Sequence, residues 1–232
     1  MVPAPLAYRP TRTRRGAQGS TAMSDAHLYV YGVTHETDLE RSVEGVDGGE
    51  RLYTVDYGPL SAVVTDVDDL EPEETDENTR AHDDVIRDVI TGEDPLTLVP
   101  MRFGMVFKNG RTLKSVLREA RPAFTRALRD LDGTVELGVK CIVPEDSTVD
   151  REALAEDASE RLSAVSEGEV DNGLFSDRLA FNRSYLVERA DREAFDIAVE
   201  ELEADYDEEV TVQYTGPYAP YNFVDIEIGA QR

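Results

Sequence analysis

Apolar positions recur every second residue in some stretches of the chain and every third or fourth in others, and the two periods alternate along its length. AHLYVYGV (26–33), RLYTVDY (51–57) and LSAVVTDV (60–67) are rich in valine and tyrosine at a period of two, which predicts strands. The last two are separated only by Gly58–Pro59 and read as a hairpin. Ala81, Val85, Ile86, Val89 and Ile90 fall on one helical face, predicting a helix from about Asp76 to Ile90. A longer stripe runs through Leu113, Val116, Leu117, Ala120, Phe124, Ala127, Leu128 and Leu131, between the turn residues Asn109–Gly110 and Asp132–Gly133. Pro122 lies inside that stripe without the N–H that would reach the Arg118 carbonyl. A kink is expected there rather than a break, because the stripe keeps its phase.

The second half repeats the alternation. TVELGVKCIV (134–143), AFNRSYLVE (180–188) and EVTVQYT (209–215) predict strands. Helices are expected near 149–166, on Leu154, Ala158, Leu162 and Val165, and over 191–204, on Phe195, Ala198 and Leu202. The Gly/Asn/Ser stretch around 168–177 reads as a loop. This order predicts an α+β fold of two small domains, 23–133 and 134–232. Each is a ferredoxin-like or modified ferredoxin-like layer of antiparallel sheet with helices on one side.

The most apolar run, LVPMRFGMVF (98–107), breaks its own pattern. Read as a strand, Val99, Met101, Phe103, Met105 and Phe107 make one wholly apolar face, while the other carries Pro100, Arg102 and Gly104. Arg102 must therefore meet a carboxylate, water or another chain.

Charge changes the picture. The chain holds 49 acidic and 24 basic residues, for a net charge of -25, and its three lysines are Lys108, Lys114 and Lys140. Such a charge repels phosphate backbones and argues against nucleic acid as a partner. The acids read as spread along every segment, which fits adaptation to high salt better than an interaction tail. Residues 1–22 are the exception, with four arginines and no acid, so the remaining 210 residues carry -29. Arg14 and Arg15 have no apolar region after them and do not make an export signal. The segment is expected to be a disordered, dispensable arm, or sequence upstream of a start at Met23. The lone Cys141 rules out an intramolecular disulfide and a thiolate cage, and no apolar run approaches the ~20 residues of a bilayer helix. A soluble, intracellular protein without membrane attachment is expected.

Signatures of catalysis are missing: no phosphate-cradling glycine loop, no G-x-S-x-G elbow and no metal-ligand spacing of Cys and His. HETDLE at His35 lacks a second histidine, and DVDDLEPEETDE (66–77) lacks the central glycine of a calcium loop. No cofactor or metal is expected. His82, in AHDDVIRDV, reads as a boundary residue at the edge of its apolar stripe, and Cys141 as a small core residue. TGPYAPYNFVDIEI (215–228) is a stiff aromatic turn. Its Tyr218, Tyr221 and Phe223 either cover the open end of a sheet, the favoured reading, or meet a partner.

YVYGV, the AHDDVI helix, LVPMRFGMVF, LDGTVELGVK, NRSYLV and GPYAPYNFV, in this order, resemble the gas vesicle protein F/L family over about residues 27–228. The short, linker-free length is closer to the F members, including those of haloarchaea. The chain departs where His82–Asp83 stands for a frequent His-Glu, and where tyrosine replaces tryptophan in the terminal motif. The resemblance implies a non-enzymatic minor component of the gas vesicle, located at the vesicle and in the cytoplasm. It implies binding of the small hydrophobic shell protein (GvpA), alongside other accessory proteins, to limit its aggregation during nucleation. It also implies two α+β domains, the first a modified ferredoxin-like one. A ferredoxin-like small-molecule enzyme or ligand sensor is the alternative, since fold alone does not fix function. On the family reading Arg102 makes a structural ion pair, with Asp83, Asp84 or Glu119 as partner, or takes part in recognition; the ion pair is favoured because a buried unpaired arginine costs several kcal/mol.

Overall fold

The computed structural model describes residues 26–206 and 209–226, so the expectations for the arm 1–22 lie outside the described residues. Two antiparallel sheets are built from β1 (His27–His35), β2 (Glu40–Ser42), β3 (Arg51–Tyr57), β4 (Leu60–Val67), β5 (Val99–Pro100), β6 (Val106–Phe107), β7 (Thr134–Ile142), β8 (Gly168–Asp171), β9 (Leu179–Glu188) and β10 (Thr211–Tyr218). The helices are α1 (Asp76–Thr91), α2 (Gly110–Glu119), α3 (Arg121–Asp130), α4 (Arg151–Ser163) and α5 (Arg192–Tyr206). Side chains fix several helix starts by accepting orphan N–H bonds: Thr75 from Asn78, Asn109 from Thr112, and Asp150 from Glu152 and Ala153.

In the second half the order β7-α4-β8-β9-α5-β10 closes into a sheet of order β10-β7-β9-β8. This is the split βαβ arrangement of a ferredoxin-like fold. Leu137, Val139 and Tyr185 of the sheet, Leu154, Ala158 and Leu162 of α4, and Phe195 and Leu202 of α5 share one core, so both helices cover one face. The stretch 168–177 is not wholly loop, since β8 occupies its first four residues and pairs with β9. GEVD offers only one apolar residue, too little for a period to show.

The first sheet has order β2-β3-β4-β1-β5, with β6 also on β1. Its helices lie on both faces rather than one. Val85, Ile86, Val89 and Ile90 of α1 pack with Tyr29, Tyr31 and Val63, while Leu113 and Leu117 of α2 and Phe124 and Leu128 of α3 pack with Val30, Val33 and Val64. The valine-rich strands therefore carry apolar residues at successive positions, one for each face. A bulge in β1 between Val30 and Gly32 resets the phase, so that Val33 joins Leu28 and Val30 on the α2/α3 side.

The expected long helix is two helices. Ala120, at φ -90° and ψ 4°, separates α2 from α3, and Pro122 lies in the first turn of α3, where its missing N–H has no partner to lose. The apolar stripe nevertheless stays in one core through both helices.

With -29 on residues 23–232, self-repulsion should weaken the fold as screening falls, because the Debye length grows from ~3 Å at 1 M salt to ~10 Å at 0.1 M. The melting temperature is expected to drop steadily on dilution from molar salt. A melting curve that stays in place over that range would contradict the salt-adapted reading.

Candidate functional site

α1 turns His82 inward, one helical turn ahead of Val85 and Ile86, and it is 3% exposed. β1 sends Tyr29 and Tyr31 to the same side, because they are two residues apart on a strand. The imidazole stacks on Tyr31 at 5.7 Å and meets Tyr29 and Phe103 edge-on.

The hydrogen bonds assign the tautomer. His82 Nε2 lies 3.2 Å from the Met101 carbonyl and 3.0 Å from the Tyr221 hydroxyl. A carbonyl can only accept, so Nε2 carries the proton and Nδ1 accepts from Tyr29 Oη at 2.9 Å. Tyr29 in turn accepts from Gly104 N, and Tyr221 donates to the Met101 carbonyl. Every polar atom in this chain of bonds has a partner while the ring is neutral. Burial pushes the imidazole down to about 4, opposed only in part by the Met101 carbonyl. His82 is thus a core histidine rather than a boundary residue.

The stretch LVPMRFGMVF is not one strand. β5 and β6 both pair with β1, and residues 101–105 leave the ladder between them. Gly104, at φ +83°, turns this loop back, a conformation that favours glycine. Met101 N donates to the Tyr31 carbonyl and Val30 N to the Met105 carbonyl, which pins the loop to β1. Met101 is buried, Phe103 half-buried, and Arg102 projects into solvent. The structural ion pair expected for Arg102 is absent among the described residues: Asp84 faces Arg87, and Glu119 faces Arg118. Asp83, Asp84 and Glu119 are themselves exposed, and the loop leaves its arginine outside.

The terminal motif closes the site. After β10 the chain crosses back to the first sheet, burying Ala219 and bringing Tyr221 to His82. Asn222 donates from N (3.0 Å) and Nδ2 (2.5 Å) to the buried carboxylate of Glu136 on β7. Phe223 packs with Leu186 and the α2/α3 core. Tyr221 and Phe223 therefore hold the two halves together, whereas Tyr218 is 39% exposed. Arg189 adds a second link by donating to the Leu96 carbonyl.

Sequence reading missed Tyr29, Tyr31, Glu136 and Asn222, whose partners lie far away along the chain; the tyrosine alternation in LYVYG was the available signal. It also missed a gap in the acid distribution. Residues 95–129 hold eight basic residues and one acid, Glu119, so the acids are not spread along every segment.

Elsewhere, Cys141 is buried on β7 and burial pushes its thiol up to about 12, leaving it protonated. His35 ends β1, exposed, and HETDLE starts no helix. Among the described residues no group of three His, Cys, Asp or Glu is placed to hold a metal ion, and no helix is long and apolar enough to cross a membrane.

The sequence matches the family described as Gas vesicle synthesis protein GvpL/GvpF over residues 27–159 and 145–225. It is 54% identical to Gas vesicle protein F1 of Halobacterium salinarum over 206 residues, covering 89% of this chain and 96% of that protein. Identity to Gas vesicle protein F of Haloferax mediterranei is also 54%, over 90% of this chain and 98% of the relative. Among solved structures, GvpF from Anabaena sp. PCC7120 has a TM-score of 0.79 at 19% identity, covering 87% of this chain and 97% of that one, which shows the fold. The haloarchaeal relatives agree with the salt-adapted composition. The joined motifs around His82, the Met101–Met105 loop and the GPYAPYNF turn thus lie within a match that spans nearly the whole described chain, and the chain belongs to the GvpL/GvpF family of gas vesicle synthesis proteins.

Proposed function

We propose that this protein is a non-enzymatic accessory factor of gas vesicle assembly that binds the small hydrophobic shell protein and limits its aggregation during nucleation, acting in the cytoplasm and at the vesicle. Near-full-length membership of a gas vesicle synthesis family carries the reading. The surface described above suits it. β10 is an edge strand whose outer side pairs with no strand among the described residues, and Tyr218 stands exposed at its end. An extended segment of the shell protein can add to that edge through main-chain hydrogen bonds, with Tyr218 as a side-chain contact, while the exposed Arg102 is a second candidate contact on the first half. Such bonds depend little on screening, so binding survives molar salt.

A pull-down in molar salt, from cells making gas vesicles, tests the proposal. Recovery of the shell protein is the expected result. A copurified metabolite without shell protein would point instead to a small-molecule enzyme or sensor. Arg102→Ala and Tyr218→Ala should each change folding stability by no more than about 0.5 kcal/mol, as exposed substitutions do, and should reduce capture. Full capture by the Tyr218 variant would move the contact away from the β10 edge, and full capture by the Arg102 variant would remove the loop from it.

A further inference from the structure

Eight of the 24 cations of this protein are gathered in residues 95–129, beside a single acid. Arg102, Lys108, Arg111, Lys114, Arg118, Arg121, Arg126 and Arg129 are all exposed, and among the described residues only Arg118 and Arg129 form salt bridges, each with its neighbour in sequence. Two hollows, where α2 and α3 border the ends of β3 and β1, gather six of them. One, of about 680 Å³, is lined by Tyr57, Arg111, Lys114 and Arg118; the other, of about 690 Å³, by His35, Pro122, Arg121, Arg126 and Arg129. No carboxylate lines either hollow.

The complement lies on the same molecule. α5 exposes Ile197, at 48%, and at helical spacing around it the exposed Glu193, Glu200 and Glu201, none of which has a salt-bridge partner among the described residues. An isoleucine flanked by carboxylates is complementary in chemistry and charge to the hollow that Tyr57, Arg111, Lys114 and Arg118 line.

We propose that the α2–α3 face is a docking surface for the α5 face of a second copy of this chain. The two patches differ, so the contact is head-to-tail and can propagate beyond a dimer. Salt sets when it forms. At 0.1 M, two molecules of net charge -25 repel over ~10 Å; at 1 M that repulsion is screened beyond ~3 Å, while ion pairs closed off from solvent are screened far less. Association therefore strengthens with salt. This inference does not rest on shell-protein binding.

Sedimentation equilibrium of the full chain, over a concentration series at 0.15 M and 3 M KCl, reads it directly. The expected result is a weight-average mass that climbs with concentration at 3 M and stays at one chain at 0.15 M. The triple variant Arg111→Glu, Lys114→Glu, Arg118→Glu and the triple variant Glu193→Lys, Glu200→Lys, Glu201→Lys should each remain monomeric, with the circular dichroism of the parent. Mixed together they should associate again, because each restores the other's complement. A parent chain that is monomeric at 3 M overturns the proposal. So does association that persists in either variant alone, or a mixture that fails to associate while both variants are folded.

Discussion

Lowering the pH from 7 to 4 is expected to remove about 3 kcal/mol of folding stability through His82 alone, since its folded value of about 4 lies below the ordinary 6.5 of an unfolded chain. The sign follows from where protons bind. Between those two values the unfolded chain takes up a proton that the native ring refuses, so stability is full above about 6.5 and declines towards 4. The structural cause is plain: Tyr29, Tyr31, Phe103, Tyr221 and the Met101 carbonyl surround the ring, and none is an anion that could offset a positive charge. A second proton, on Nδ1, would also displace the bond that Tyr29 donates there. Denaturant unfolding of the parent and of His82→Gln at pH 7, 6, 5 and 4.5 separates this from the carboxylates, which titrate in both. Above pH 4.5 the variant should show a slope smaller than the parent's by the share that His82 contributes. Equal slopes would mean that His82 accepts a proton without cost, contrary to the burial described.

Tyr221→Ala should cost about 3 kcal/mol, at the low end of aromatic truncations, because the ring is half-buried against the core. Among the described residues the phenol is the one side chain from the far end of the chain that bonds to His82, and it also donates to the Met101 carbonyl. Its removal opens a space between α1, the 101–105 loop and the terminal turn. Tyr221→Phe keeps the ring and loses only the hydroxyl bonds, so about 1 kcal/mol is expected. Tyr218→Ala serves as the contrast, because that ring lies at the surface. Urea midpoints of the three variants check the ordering. If Tyr218→Ala proves as damaging as Tyr221→Ala, the division of the motif into a structural and an exposed tyrosine is wrong.

Strongly periodic elements were legible in the sequence because a half-buried helix or strand writes its period into its residues. α1, α4, α5, β3, β4 and β9 fall within a few residues of where their patterns put them. β2 and β8 were not legible, because three or four mostly polar residues carry no period and are held by ladder bonds to a neighbour. Apolar content misled at 98–107: five alternating apolar residues suggested one strand, yet Gly104 turns the chain within 101–105, and bonds at Met101 and Met105 tie only the ends of that loop to β1. Arg102 was correctly singled out as anomalous, but its place depended on that loop. Both-sided cover of the first sheet could be suspected only from successive buried positions in β1 and β4. The site itself was half visible. His82 and the tyrosine turn were named separately, and their meeting across 139 residues is a product of tertiary folding that no local pattern records.

The proposed restraint on shell-protein aggregation can be read by light scattering. Purified shell protein is diluted from denaturant into molar salt with increasing amounts of this protein, and with an unrelated acidic protein of equal charge as control. Scattering is expected to fall in proportion to this protein up to a fixed ratio, and both chains should then migrate as one complex on gel filtration. Scattering that matches the control at every ratio, with no complex recovered, would contradict it.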